Sequence, residues 1–159
     1  MGMNGVESLQ ALAAAVVFGV FTLCLTASAL AAPSATVDPA KPNVVEFFPQ
    51  PARFVRLVIH ASATGQPCVD ELEICGPESP RNLALARDGA VATASSCLPG
   101  YAIHQVKHLN DGLYGNAHSW IAASAGEEWA QIELPQSARV ARVVLSRDRN
   151  GQFTDRQIL

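Results

Sequence analysis

No lysine or arginine precedes Lys41, and the rest of the chain has no basic cluster beyond the local Arg147, Arg149 and Arg156. The formal net charge is −3. Nucleic-acid binding needs a concentrated positive face to replace the counterions of phosphates, so this composition argues against such a partner. The chain also lacks a P-loop, a dinucleotide fingerprint, a CxxC pair, a CxxCH haem site and a GxSxG elbow. Ser95-Ser96 has no glycine-rich elbow around it, and no set of residues assembles a nucleophile, a base and an oxyanion hole. Internal repeats and low-complexity tracts are missing too.

A long uncharged run is present. Residues 11–32 read ALAAAVVFGVFTLCLTASALAA, and Ala29-Leu30-Ala31 supplies the small residues of a signal-peptidase site. Residues 1–31 therefore read as a signal peptide removed on export, which makes the protein secreted or periplasmic. The n-region is acidic at Glu7 and carries no basic residue. A span of about 20 apolar residues also crosses a bilayer, so an uncleaved anchor at 11–32 is the alternative and the sole route to membrane attachment. Residues 32–43, rich in proline and small side chains, read as a linker.

Three cysteines follow the cleavage point: Cys68, Cys75 and Cys97. If 68–75 is one extended strand, its ends stand about 23 Å apart, beyond disulfide reach. Cys97 pairing with one of the other two, or three free thiols, are the remaining alternatives.

The run VVEFFPQPARFVRLVIH is β-branched and aromatic, with Val55, Leu57 and Ile59 alternating toward one face. After the ASATGQP turn, Leu72 and Ile74 point one way and Glu71 and Glu73 the other. Residues 44–76 thus predict an antiparallel hairpin with a solvated glutamate face. A second unit starts near Arg81. Residues 102–109 suit one or two helical turns, Asn110-Asp111-Gly112 a tight turn, and EEWAQIELP a strand with Ile132 and Leu134 facing inward. Trp129 has the opposite parity, so it sits at a bulge or faces out. ARVARVVLS is a further strand. Strands with turns and almost no helix predict an all-β, antiparallel sandwich or jelly roll.

Four stretches resemble the discoidin domain (factor V/VIII type C) of the galactose-binding-like fold. NLALARDGAVATASS (82–96) looks like its opening. HLNDGLYGNAHSW (108–120) resembles its DG-then-Trp loop. EEWAQIELP with ARVARVVLSRD (127–135 and 138–148) is similar to its next two strands. ARFVRLVIHASATGQPCVDELEICG (52–76) resembles its closing hairpin, although here it precedes the opening stretch. Such a jelly roll needs about eight strands, and residues 81–159 supply its N-terminal part, so a partial copy is expected.

The resemblance implies a structural calcium at the Asn-Asp-Gly loop, with Asp111 and Asn110 as ligands. Calcium favours carboxylate, amide and backbone oxygens on turns. A carboxylate that caps its own turn is the alternative for Asp111. Trp120 is expected in the core. Tyr114, Trp129, Arg147 and Arg149 are the candidate ligand contacts. Leu113 and Tyr114 at the loop tip are alternatively suited to an apolar surface. Arg147, Asp148, Arg149, Asp155 and Arg156 otherwise read as a solvated ion-pair network. His104 and His108 are spaced i, i+4, as in zinc peptidases, but Gln105 replaces the glutamate that activates water. A third ligand would have to be Asp111 or His118, and no catalytic zinc is expected on the His104–His108 pair.

The sequence thus points to a non-catalytic extracytoplasmic binding module. Its ligand would be a carbohydrate or another component of the envelope or extracellular space. The alternative is the N-terminal fragment of a larger secreted enzyme or redox protein that carries this module as an accessory domain.

Overall fold

Among the described residues, six antiparallel strands organise the chain: β1 (Asn43–Ile59), β2 (Cys68–Val69), β3 (Glu71–Cys75), β4 (Val91–Ala94), β5 (Trp120–Ile121) and β6 (Glu128–Ser146). The computed structural model describes residues 37–149, 151–153, 155, 156 and 158. The expected signal peptide, at 1–31, lies outside them. Among the described residues, the helical elements are two 3-10 turns, Ala86–Asp88 and Val106–Asn110, and no helix is long and apolar enough to cross a membrane. The all-β, antiparallel class read from the sequence is therefore the class observed.

β6 is the spine. One of its edges carries β1 along nearly its whole length, from Asn43 opposite Leu145 to Ile59 opposite Glu128. Its other edge is shared, with β4 against 130–133 and β3 against 142–146. β2 and β5 form a separate two-stranded sheet.

This pairing corrects the hairpin expected at 44–76. β1 and β3 do not pair with each other, because β6 runs between them. It also joins the two strands expected at 127–135 and 138–148 into one. The gap between those two expected strands is a register shift within β6. Ala52 faces Ala138 while Phe54 faces Glu133, and Pro135, Gln136 and Ser137 stand out exposed. Proline has no N–H to give a ladder, so it sits where the pairing slips.

The core gathers Ile59, Leu72, Ile74, Leu109, Trp120, Ile132, Leu134 and Val140. Trp120 is fully buried, as expected, and its indole N–H donates to Ser96 O at 2.8 Å. Large aromatics contribute most to burial when their polar atom finds such a partner. Trp129 faces outward from β6, and the Arg56 guanidinium lies over its ring at 4.2 Å. Cys68, Cys75 and Cys97 are free thiols. Cys68 and Cys75 fall in different strands, and burial pushes the Cys68 thiol up to about 12, which keeps it protonated and unreactive.

A serine cluster closes the start of β6. Glu128 is buried, and its carboxylate accepts hydrogen bonds from the hydroxyls of Ser95, Ser96 and Ser124. Burial raises the carboxyl pKa, but the bonds from Ser95, Ser124 and Ser96 outweigh it and hold the group below its ordinary value. Ser95-Ser96, which lacks the elbow a nucleophilic serine needs, is thus half of a carboxylate cradle.

Candidate functional site

The 3-10 turn Val106–Asn110 delivers the chain into a loop, 111–118, that ends at β5. The sequence explains its shape. Gly112 and Gly115 adopt φ of 82° and 100°, a region that side-chain-bearing residues rarely enter. Asp111 Oδ1 accepts the Leu113 N–H at 2.8 Å, closing the turn.

Two buried carboxylates hold this loop from beneath. Gly112 N–H donates to Glu71 Oε2 at 3.2 Å, and Gly115 N–H donates to Asp70 Oδ2 at 2.9 Å. Glu71 is completely buried, which corrects the expected solvated face of β3. Strand alternation does send Glu71 opposite to Leu72, but the loop covers that side as well. Burial pushes Glu71 up to about 8 and Asp70 up to about 6, although each accepts a backbone N–H. Neither residue was singled out as a site residue, because local alternation carries no signal of a loop folding over a strand.

The expected ligand contacts separate into distinct places. Tyr114 and Arg149 come together. The Arg149 guanidinium stacks over the Tyr114 ring at 3.9 Å, and both reach Glu73. The Tyr114 hydroxyl donates to Glu73 Oε1 at 3.1 Å, and Arg149 forms an ion pair with the same oxygen. Burial, with the Glu73 charge, raises Tyr114 to about 12, so its hydroxyl stays a donor. Leu113 and Tyr114 remain exposed beside this group, at 49% and 36%.

Arg147 is elsewhere, 1% exposed instead of solvated. Its Nη1 lies 3.5 Å from Asp70 Oδ1 and its Nη2 3.4 Å from Asp155 Oδ1. The Asp70 contact is close enough for charge attraction but lacks hydrogen-bond geometry, and neither atom has a hydrogen-bond partner among the described residues. The raised Asp70 pKa agrees with that: burial outweighs the attraction of Arg147. Asp148 is buried as well. Trp129 sits near the start of β6, whereas Glu73 pairs with Val144 near its end, so Trp129 does not join Tyr114.

Asn110 is also removed from the surface. It is 1% exposed, and its amide nitrogen donates to Ala84 O at 2.7 Å and Ala90 O at 3.3 Å. That role fixes the 3-10 turn to the β4 side of the core. Asp111 instead meets two histidines. The ring centroids of His108 and His118 are 5.5 Å apart, and His118 Nδ1 lies 3.0 Å from Asp111 Oδ2.

His104 takes no part in that group. It is bonded through Nδ1 to Ser119 Oγ at 2.8 Å. This Ser–His contact has the form of a nucleophile with its base, but Ser119 is fully buried and His104 is 6% exposed. Burial, with the neighbouring positive charges of Arg156 and Arg147, holds His104 below its ordinary pKa.

Two shallow depressions flank the segment Gly76–Arg81, beyond the other end of β3. Comparison with protein-family models, with curated proteins and with solved structures found no match.

Proposed function

We infer that this chain is a non-catalytic, extracytoplasmic binding module with a discoidin-like sandwich architecture. Its ligand is a hydroxyl-rich molecule, a carbohydrate of the envelope or extracellular space. The observation that carries this reading is the Tyr114–Arg149–Glu73 group, where Tyr114 of the 111–118 loop meets Glu73 of β3 and Arg149 just after β6. A guanidinium and a carboxylate side by side offer donors and acceptors that match vicinal hydroxyls. An adjacent exposed aromatic and Leu113 offer apolar surface to the C–H faces of a sugar ring. The loop is fixed in advance by the buried Glu71 and Asp70, so little ordering entropy opposes binding.

Ser119 and His104 are buried, so this pair gives the reading no catalytic centre to accommodate. The uncharged 11–32 run supports export.

The experiment is a glycan panel screened with the exported full-length product. Retention of a defined glycan class, lost in Tyr114→Ala, supports the reading. Absence of binding across the panel, or turnover of any bound glycan, contradicts it.

A further inference from the structure

We propose that His108, Asp111 and His118 form a binding site for a divalent transition-metal ion of the zinc class. One ligand atom from each residue lies within 4.8 Å of the others. Around tetrahedral zinc, with bonds of ~2.0–2.2 Å, neighbouring ligand atoms stand about 3.4 Å apart. The Asp111–His118 contact of 3.0 Å is already near that spacing. Small side-chain rotations on the loop close the remaining gap.

The hydrogen bonds around His108 leave one of its nitrogens free for an ion. His108 Nδ1 lies 3.1 Å from Ile103 O and 3.3 Å from Ser119 O. Carbonyl oxygens accept but never donate, so Nδ1 carries the proton and Nε2 holds the free lone pair. A backbone carbonyl on the non-ligating nitrogen is how metal-bound histidines are oriented and made more basic. His108 is buried and fixed, while the side chains of Asp111 and His118 are 22% and 39% exposed. One wall of the site is thus rigid, and its mouth opens to solvent.

Ligand chemistry selects the metal. Two imidazoles and one carboxylate suit zinc, cobalt, nickel or copper, whereas calcium and magnesium take oxygen ligands. Three protein ligands leave a fourth position for water or for an oxygen of a bound molecule. The i, i+4 pair His104–His108 is not the site, since His104 turns to Ser119. The ion would tie the end of the 3-10 turn to the far side of the loop that presents Tyr114. The site does not depend on the sugar-binding reading, because its test needs no sugar.

The test is titration of the chelator-treated full chain with Zn²⁺, Co²⁺ and Ca²⁺ separately, read by calorimetry and, for Co²⁺, by visible absorption. One Zn²⁺ per chain is expected, with Co²⁺ giving the d–d bands of a low-coordinate nitrogen–oxygen site and Ca²⁺ giving no comparable heat. His118→Ala and Asp111→Asn should each weaken Zn²⁺ binding by about 10-fold or more. The exposed His60, 3.4 Å from Glu127, serves as the control, and His60→Ala should bind Zn²⁺ as the parent does. Both test variants sit on the solvent side of the site, and Co²⁺ absorption of His118→Gln checks the assignment without a cavity. Zn²⁺ binding unchanged in His118→Ala and Asp111→Asn, no Zn²⁺ binding at all, or tighter binding of Ca²⁺ than of Zn²⁺ would each overturn the site.

Discussion

Glu71 accepts the backbone N–H of Gly112 at 3.2 Å, and that bond ties a fully buried carboxylate of β3 to the Asp111-Gly112 turn of the loop. The other carboxylate oxygen of Glu71 has no hydrogen-bond partner among the described residues. Burial is the main reason its pKa lies near 8, with Asp111 and Glu73 adding repulsion and Arg149 easing it.

This predicts stability that falls with rising pH. The unfolded chain releases the Glu71 proton near the ordinary value of 4.5, whereas the folded chain keeps it to about 8. Between those values unfolding releases a proton, so stability is full below the unfolded value and is lost as pH rises through the folded one. Asp70, raised to about 6, contributes in the same direction over a narrower window. Glu71→Gln keeps an acceptor for Gly112 and removes the ionisation. Its Tm should exceed that of the parent by about 4 °C or more at pH 8.5 and match it at pH 4.5, as differential scanning calorimetry can check.

Glu128 should behave in the opposite sense. Its pKa is held below the ordinary value, so its contribution is present above the unfolded carboxylate range and is lost as pH falls through the folded value. Glu128→Ala removes a charged acceptor from three serine hydroxyls and should cost about 1.5–3 kcal/mol at neutral pH. Urea denaturation of the variant, with Glu128→Gln as the smaller perturbation, checks the size. An acid-side stability loss that persists undiminished in Glu128→Gln would assign it to another group.

Gly112 and Gly100 make a matched pair for the loop. Both have positive φ, 82° and 85°, so alanine at either costs about 1–2 kcal/mol of backbone strain. At Gly112 the added Cβ also meets Leu85 Cδ2 at 3.1 Å, while at Gly100 it meets nothing within 4 Å. Gly112→Ala should therefore be the more destabilising in chemical denaturation. Equal losses would mean that Leu85 yields freely and that the loop is less tightly seated.

The local patterns in the sequence identified the strands better than their partners. The alternation of Val55, Leu57 and Ile59 marks β1 because period-two patterning is local. Its partner β6 lies far along the chain, and such pairing leaves no nearby trace, so the nearer β3 was the natural but incorrect choice. The break expected between the strands ending at Pro135 and beginning at Ala138 is instead a register shift within a single strand. Glu71 was misread because alternation reports one face of a strand and not whether a loop later covers the other. His104 and His108 have helical spacing, but the turn is a 3-10 turn that starts at Val106, leaving His104 free to bond Ser119. Asp111 and Tyr114 were legible because turn residues and a polar-aromatic loop tip are local features. Glu73 became meaningful once the loop was folded onto β3, and His118, named as a possible third ligand beside His104, proved to sit with His108 and Asp111 instead.

The central claim is that the Tyr114–Arg149–Glu73 group binds a carbohydrate without transforming it. The most direct measurement is calorimetric titration of a retained glycan into the parent protein, Tyr114→Ala and Arg149→Ala, with Trp129→Ala as the distant control. The account predicts saturable binding that drops about 10-fold or more in the first two variants, the loss of roughly 1.4 kcal/mol that one good contact supplies, with Trp129→Ala unchanged and the glycan recovered intact. Binding that survives Tyr114→Ala and Arg149→Ala but fails in Trp129→Ala would contradict it.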